Sequence, residues 1–340
     1  MSAMRVAIFG TKGYDRHFLS AANPGHELHF LEPRLDADTA SLGDGFEAVC
    51  VFVNDRLDAA VLAQLAAGGT RLIALRCAGY NNVDLIAAAN LGMTVVRVPA
   101  YSPHAVAEFT IALLMALDRR IHRAWARVRE NNFALDGLIG RNLHGRVAGV
   151  IGTGRIGALV ARTLRLGFGC EVLASDMVED AELVAMGVRY LPPRDLLEQV
   201  DIVSLHCPLT PDTRHIINGD AIDRARDGLV VVNTSRGALI DTAALVAGLK
   251  SRKIGGVALD VYEQEADLFF EDLSNEIVED DVFQRLLTFP NVLVTGHQAF
   301  LTEEALASIA GTTMANISDF EAGRPLANRV DPVAAIARRG

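Results

Sequence analysis

The sequence predicts an α/β protein built from two doubly wound parallel sheets, and three observations support this. Short runs rich in Val, Ile and Leu recur between stretches with helical periodicity, a pattern typical of buried parallel strands with helices on both faces. The chain has 340 residues, which is enough for two domains. Half of its residues are hydrophobic and 22% are charged, as in ordinary globular proteins.

Ten of these runs are predicted to be strands. They lie at 5–9, 47–53, 71–75, 94–98, 147–151, 170–174, 201–205, 229–233, 255–259 and 292–295. Ten strands are too many for one small sheet, so we expect two sheets. The boundary between them is predicted at 99–103, because two prolines interrupt the pattern there and restrict the backbone.

Composition excludes several classes of partner. The formal net charge is −10, which does not suit a protein that coats nucleic acid or an anionic membrane. The four cysteines have no CxxC spacing, so they are predicted to be reduced thiols in the cytoplasm, with no metal site and no disulfide framework. The longest apolar stretch, 106–117, is too short to span a membrane and is predicted to be a buried helix. We therefore expect a small-molecule partner.

Two segments concentrate charge of one sign. Five arginines between 119 and 129 lie on a helical pattern whose apolar stripe is Ile121, Trp125 and Val128. Nine acidic residues and no basic residue lie within 263–281. After Glu265 this segment is predicted to be a loop that points away from the ligand site, toward solvent or toward a basic surface such as the arginine helix. Each segment is interpreted either as solvated surface or as a contact with another domain or subunit. Because of the arginine helix, we expect a homo-oligomer, either a dimer or a tetramer.

The run at 147–151 leads into a glycine motif. Gly152, Gly154 and Gly157 have the GxGxxG spacing between a strand and a helix, where glycines permit a tight turn, close approach of a pyrophosphate and close helix packing. The next strand ends at Asp176, where a carboxylate can accept hydrogen bonds from ribose hydroxyls and would repel a 2′-phosphate. The sequence therefore predicts NAD as the cofactor, in preference to NADP.

Residues near the ends of later strands are candidate catalytic groups. Arg236 follows the strand at 229–233, His297 follows the strand at 292–295, and Glu265 lies shortly after the strand between them. Carboxyl ends of parallel strands share one edge of the sheet, so we expect these side chains to converge. Each residue alone is as well explained by a structural role. Together they offer the proton donor, the polarising cation and the substrate anchor that hydride transfer to a carbonyl requires.

Sequence motifs spread over nearly all of residues 4–330 show a family resemblance. The motifs are RCAGYNNVD at 76–84, VPAYSPHAVAE at 98–108, GTGRIG at 152–157, HCPLTP at 206–211, NTSRGALID at 233–241, DVYEQE at 260–265, DLFFED at 267–272 and GHQAF at 296–300. With these motifs the chain resembles the D-2-hydroxyacid dehydrogenase family. The DLFFED motif resembles in particular the branch of bacterial fermentative D-lactate dehydrogenases.

The resemblance implies a domain organisation and an activity. A Rossmann NAD-binding domain at 102–299 would be inserted into a flavodoxin-like substrate domain formed by 1–101 and 300–334. The implied activity is NAD-dependent, reversible reduction of pyruvate to D-lactate. Two alternatives stay open: reduction of another 2-oxoacid, such as glyoxylate, hydroxypyruvate or phenylpyruvate, and an NAD-sensing binding protein with the same fold.

The resemblance also implies roles for single residues. His297 would give a proton to the C2 oxygen of the substrate, Glu265 would stabilise the imidazolium of His297, and Arg236 would bind the carboxylate and polarise the ketone. The implied substrate contacts are Ala78, Gly79, Tyr101, Arg236, His297 and Phe300. The implied cofactor contacts beyond the glycines and Asp176 are Arg155, Ile156, His206, Cys207, Pro208, Thr213, Thr234, Ser235, Arg236 and Asp260.

Overall fold

The computed structural model describes residues 3–265 and 268–332, which fall into two compact units. One unit is formed by 3–102 together with 300–332, and the other by the described residues of 103–299. Asp267 of the DLFFED motif and residues 333–334 of the predicted substrate domain lie outside the described residues. Within these ranges no helix has the length and apolar character needed to cross a membrane.

The first unit contains a five-stranded parallel sheet. Its strands are β1 (Arg5–Ile8), β2 (Glu27–Phe30), β3 (Ala48–Val51), β4 (Leu72–Leu75) and β5 (Thr94–Val96). Its helices are α1 (Gly13–Ala22), α2 (Ala59–Ala67), α3 (Leu85–Asn90) and, from the C-terminal part, α12 (Glu303–Glu321). The strand order β2-β1-β3-β4-β5 is that of flavodoxin-like folds, with a switch point between β1 and β3.

Strands of this sheet are buried on both faces. Alternate side chains of β1 enter different hydrophobic clusters, because successive residues of a strand point to opposite faces. Val6 and Ile8 pack on one face and Ala7 on the other. Helices α2 and α3 begin where Asp58 and Asp84 each accept hydrogen bonds from two backbone amides, which satisfies donors at the helix N-terminus.

The second unit contains a seven-stranded parallel sheet. Its strands are β6 (Val147–Ile151), β7 (Glu171–Ser175), β8 (Arg189–Tyr190), β9 (Ile202–Leu205), β10 (Leu229–Asn233), β11 (Ile254–Leu259) and β12 (Val292–Val294). Its helices are α4 (Pro103–Asp118), α5 (Ile121–Arg129), α6 (Arg155–Arg162), α7 (Ala181–Ala185), α8 (Pro193–Leu197), α9 (Gly219–Arg224), α10 (Thr242–Lys250) and α11 (Asp281–Leu287). The strand order is β12-β11-β10-β9-β6-β7-β8, a Rossmann arrangement that reverses direction between β6 and β9.

The predicted fold class is confirmed, and all ten predicted strands are present. The described ranges contain two further strands, β2 and β8, each at an edge of its sheet. In β2 the polar residues Glu27 and His29 alternate with apolar ones, and β8 has only two residues, so neither forms an apolar run. The buried helix predicted at 106–117 is α4.

Helix α5 has the helical pattern predicted for the arginine segment, but its apolar stripe is not covered within the described part of the chain. Ile121 is 54% exposed, Trp125 63% and Val128 52%. The guanidinium of Arg129 lies over the Trp125 ring, 4.9 Å from its centroid. The unit therefore presents an apolar and cationic helix face at its surface.

Candidate active site

The glycine turn between β6 and α6 provides space for a pyrophosphate. Gly152 has a φ of +91°, and a Cβ there would lie 2.4 Å from the backbone nitrogen of Cys207. A Cβ at Gly157 would lie 1.8 Å from the carbonyl oxygen of Gly152, so only glycine lets α6 pack this closely. A Cβ at Gly154 would meet nothing within 4 Å, which leaves open space before the amide groups of the turn. The turn and the N-terminus of α6, at Arg155 and Ile156, thus fit the phosphates of a dinucleotide.

Asp176 follows β7 and is fixed against the glycine turn. One carboxylate oxygen accepts a hydrogen bond from the backbone N–H of Thr153 at 2.5 Å, and the other accepts one from Met177 at 2.6 Å. The residue is exposed, so its oxygens also remain accessible to a ligand. The structure places Asp176 beside the glycine turn, and its contact with the ribose stays a prediction.

The turn after β9 contributes neutral groups. Desolvation lowers the pKa of His206 to about 4, and its ring nitrogen Nε2 lies 2.8 Å from the hydroxyl of Ser204. Burial raises the pKa of Cys207 to about 11, so this residue is a thiol at neutral pH. The hydroxyl of Thr213 donates to the carbonyl of Pro208 at 2.6 Å and holds the turn closed.

The turn after β10 carries Arg236 and is held by its neighbours. The buried amide of Asn233 donates to the carbonyl of Arg236 at 2.8 Å and accepts from the backbone N–H of Ser235 at 3.0 Å. The Ser235 hydroxyl donates to the carbonyl of Cys207 at 2.9 Å, which joins the β9 and β10 turns. The hydroxyl of Thr234 lies 2.8 Å from a threonine hydroxyl on α4. These contacts fix the backbone that carries the half-buried side chain of Arg236.

Glu265 and His297 form a hydrogen-bonded pair. Oxygen Oε1 of Glu265 lies 2.9 Å from Nδ1 of His297, and the two side chains are 24% and 21% exposed. The other carboxylate oxygen accepts a hydrogen bond from the backbone N–H of Tyr262 at 2.9 Å. A carboxylate can only accept, so Nδ1 carries a proton and Nε2 is the nitrogen available for proton exchange.

Asp260 holds the turn that carries His297. His297 has a φ of +54°, a conformation that is costly for residues other than glycine, and its N–H donates to the Asp260 carbonyl at 2.8 Å. The fully buried Asp260 carboxylate accepts from the Thr295 hydroxyl at 2.5 Å and from the N–H groups of Gln298 and Ala299. Burial raises the pKa of Asp260. A contact of Asp260 with the nicotinamide stays a prediction, and in the described ranges no group of three or more His, Cys, Asp or Glu is arranged for a metal ion.

The acidic segment at 263–281 is largely irregular, as expected, but part of it lies beside His297. The ring centroids of Phe270 and His297 are 5.6 Å apart, so the expectation that the segment after Glu265 points away from the site is wrong for Phe270. Phe269 is buried in a cluster with Tyr262 and Phe283, which removes its apolar side chain from water. Its first acid, Glu263, pairs with His215.

In the first unit, the turn at Ala78 and Gly79 follows β4. The guanidinium of Arg97 donates to the carbonyl of Ala78 at 2.7 Å, and the thiol of Cys77 contacts the carbonyl of Gly79 at 3.3 Å. These contacts occupy the carbonyl oxygens of the turn. Arg97 was not predicted as a site residue, because it lies within the run at 94–98 that was predicted to be a strand, whereas β5 ends at Val96.

Tyr101 and Phe300 lie together in the same unit, with ring centroids 6.2 Å apart. A third aromatic residue, Phe52, lies 5.8 Å from Phe300 and was not predicted. The predicted strand ran to residue 53, whereas β3 ends at Val51. A strand predicted to end at Val51 would have placed Phe52 at the carboxyl edge of the sheet.

Comparisons with known proteins find similar chains over nearly the full length of this one. Residues 111–299 match the family model described as "D-isomer specific 2-hydroxyacid dehydrogenase, NAD binding domain". The chain is 54% identical to "2-hydroxyacid dehydrogenase homolog 1" of Schizosaccharomyces pombe, over 93% of this chain and 96% of the relative. It is 51% identical to the D-lactate dehydrogenase of Escherichia coli, over 96% of this chain and 100% of that one. A solved structure of the pyruvate reductase of Chlamydomonas reinhardtii matches with a TM-score of 0.92 at 46% identity, covering 96% of this chain and 99% of that chain.

The family model covers more than half of the chain, and the relatives extend the match to nearly its full length. The chain therefore belongs to the D-isomer-specific 2-hydroxyacid dehydrogenase family, as an NAD-dependent enzyme.

Proposed function

We propose that this enzyme catalyses the reversible reduction of pyruvate to D-lactate, with NADH as the reductant. The observation that carries the proposal is the accessible Glu265–His297 hydrogen bond of 2.9 Å, on the same sheet edge as Arg236 and the glycine turn. The names of the relatives from Escherichia coli and Chlamydomonas reinhardtii support pyruvate as the substrate.

The proposed chemistry divides among three side chains. Bound NADH supplies the hydride that adds to the ketone carbon. His297, protonated on both ring nitrogens, gives its Nε2 proton to the ketone oxygen and becomes neutral, and in the reverse reaction it takes this proton back. Glu265 accepts from Nδ1 and stabilises the charged ring before transfer. Arg236 binds the substrate carboxylate and draws electron density toward the ketone oxygen.

The remaining predicted contacts are part of the proposal. We assign substrate contact to Ala78, Gly79, Tyr101 and Phe300. Asp176 binds the adenosine ribose, and the turns after β9 and β10 bind the rest of the dinucleotide. The neutral thiol of Cys207 suits this position, because a dinucleotide carries negative charge on its phosphates and a thiolate would repel it.

A panel of 2-oxoacids tests the proposed substrate. Purified enzyme is mixed with NADH and pyruvate, glyoxylate, hydroxypyruvate or phenylpyruvate, and NADH absorbance is followed over time. We expect the highest kcat/KM with pyruvate and D-lactate as the product. A larger acid that is turned over faster would assign the enzyme to another substrate, and no turnover with any acid would favour a binding protein.

We further propose that the chain forms a homo-oligomer through α5. Exposed Ile121, Trp125 and Val128 on one helix face form an apolar stripe of the kind that subunit contacts cover. The arginines of α5 would repel a second α5, whereas the acidic residues of the 263–281 segment on a second copy complement them. Light scattering of the protein and of Trp125→Glu tests this, and we expect the variant to have a lower mass. A wild-type mass equal to one chain would contradict it.

A cytoplasmic location is proposed on the basis of the cysteines. Cys50, Cys77, Cys170 and Cys207 are all buried thiols. Burial raises the pKa of Cys50 to about 11, which keeps it protonated and unreactive. A reducing compartment suits such residues.

A further inference from the structure

Glu263 lies two residues before Glu265, and its carboxylate contacts two other segments of the second unit. Oxygen Oε1 lies 2.6 Å from Nε2 of His215. Oxygen Oε2 accepts hydrogen bonds from the Thr242 hydroxyl at 3.1 Å and from the Thr242 N–H at 3.4 Å. The Glu263 side chain is 19% exposed, and the more exposed guanidinium of Arg214 lies 3.6 Å from Oε1. We call Glu263, His215 and Thr242 the carboxylate bridge.

The three segments joined by the bridge all carry residues of the proposed active site. His215 follows the β9 turn, Thr242 follows the Arg236 turn, and Glu263 precedes Glu265 in the loop after β11. Because a carboxylate only accepts hydrogen bonds, Nε2 of His215 carries the proton that is shared with Glu263. The bridge therefore fixes the orientation of the imidazole as well as the spacing of the segments.

Backbone contacts show that these segments pack closely against one another. A Cβ at Gly237 would lie 2.0 Å from the carbonyl carbon of Tyr262, so the residue after Arg236 packs directly on the loop of Glu265. The N–H of His215 donates to the carbonyl of Ala238 at 2.9 Å. His215 has a φ of +53°, and this costly conformation directs its backbone and its side chain to two different segments.

We propose that Glu263 is a positioning residue for the reaction, which sets the placement of Arg236 relative to Glu265 through the carboxylate bridge. The proposal rests on the proposed roles of Arg236, Glu265 and His297. A misplacement of about 1 Å can lower a rate by roughly 100-fold, so a carboxylate that joins the two catalytic loops affects turnover without touching the substrate. A bridge that only stabilised the fold would change the amount of folded enzyme and leave the chemical step unaltered.

Glu263→Gln tests the proposal, since it keeps the size of the side chain but replaces one of the two acceptor oxygens, which face His215 and Thr242, by an amide donor. We expect kcat with pyruvate to fall about 10-fold and the Kd for NADH to stay within about twofold. The kinetic isotope effect on kcat, measured with NADH deuterated at the transferred position, is expected to rise because hydride transfer becomes more rate-limiting. Rates are divided by the concentration of NADH-binding sites, which removes the contribution of unfolded protein.

Two further variants complete the experiment. Glu171→Gln is the matched control, because Glu171 forms an exposed ion pair with Arg189 on the same unit, and its rates are expected to equal those of the wild type. His215→Ala removes one partner of the bridge and is expected to lower kcat in the same way, which keeps the test available if Glu263→Gln does not fold. Unchanged kcat and isotope effect in the folded bridge variants would overturn the proposal.

His297→Gln, measured in the same assay, separates this proposal from the proposed function. If His297→Gln is inactive and the bridge variants behave as the wild type, the positioning role alone fails. If His297→Gln keeps its turnover, the proposed proton transfer fails, and the positioning role fails with it.

Discussion

The two parallel sheets differ in the exposure of the charged residues at the carboxyl ends of their strands. At the edge of the first sheet, Arg76 and Asp15 form an ion pair at 3.1 Å with side chains only 3% and 9% exposed. Asp55 beside them is buried, and its carboxylate accepts hydrogen bonds from the N–H groups of Leu35 and Phe52. At the edge of the second sheet, Asp176, Glu265 and His297 keep accessible polar atoms.

This difference shows that the position of a residue at a strand end is not enough to identify a functional group. Ligands of open α/β sheets bind at the carboxyl ends of the strands, but charged residues occur at this edge in both sheets. Exposure then separates the charges that neutralise one another within the protein from those that can reach a ligand. We therefore expect substitutions at the second edge to change chemistry and substitutions of the buried cluster at the first edge to change stability.

The largest expected effect is on turnover at the second edge. His297→Gln removes the proposed proton donor, so kcat with pyruvate should fall by about 1,000-fold or more, while NADH still binds with a similar Kd. Steady-state kinetics and NADH fluorescence titration measure the two quantities. His144→Gln, at an exposed histidine of the same unit, is the control and should keep wild-type kcat. Near-normal turnover of His297→Gln would remove His297 from the mechanism.

The buried ion pair at the first edge should give the largest effect on stability. Asp15→Asn leaves the Arg76 charge buried without its carboxylate, which typically costs about 3 kcal/mol of unfolding free energy. Urea unfolding measures the loss. Glu171→Gln breaks an exposed pair with Arg189 and should cost under about 1 kcal/mol. Equal losses in the two variants would show that burial of the first pair has no energetic consequence.

A smaller effect is expected on the choice of cofactor. Asp176→Ala removes the carboxylate that is predicted to bind the ribose and repel a 2′-phosphate, so the preference for NADH over NADPH should fall by about 10-fold or more. The ratio of kcat/KM for the two cofactors measures this preference. Glu179→Ala, at an exposed acid nearby, should leave the ratio unchanged. The ribose assignment is wrong if Asp176→Ala leaves it unchanged too.

A further effect on stability is expected to depend on pH, through the protonation of His206. Burial lowers the pKa of this residue, so it stays neutral in the folded protein down to about pH 4, whereas an unfolded histidine takes up a proton near the ordinary value of 6.5. Between these values the unfolded state binds more protons, so the unfolding free energy falls as the pH is lowered from 6.5 to about 4. Above pH 6.5 both states are neutral and this contribution vanishes.

His206→Asn checks this contribution. Urea unfolding at several pH values should show a smaller loss of stability on acidification than in the wild type. Identical losses would mean that His206 does not differ in protonation between the folded and unfolded states.

The sequence predicted the features that follow from local pattern. Apolar runs located the interior strands, and the GxGxxG spacing located the tight turn between β6 and α6, because both depend on residues close together along the chain. The polar edge strand β2 carries no apolar run to mark it. Phe52 was missed because an apolar strand pattern does not show where hydrogen bonding ends.

Contacts between segments that are distant along the chain could not be predicted from local sequence patterns. In the carboxylate bridge, Glu263 contacts residues that are 48 and 21 positions away along the chain, and in the sequence it looks like one acid among nine. The acidic composition of 263–281 suggested a solvated surface. It gave no sign that Phe270 lies beside His297 and packs against the cluster that contains Phe269.

The central claim is that the Glu265–His297 pair supplies the proton, and a double-mutant cycle on kcat with pyruvate tests it most directly. We expect Glu265→Gln to lower kcat by about 10-fold or more in the wild-type enzyme, because glutamine stabilises a charged imidazole less well than the carboxylate that contacts Nδ1 of His297. In His297→Gln the same substitution should have little further effect, since no imidazole is left to stabilise. Equal losses of kcat in the two backgrounds would contradict the claim.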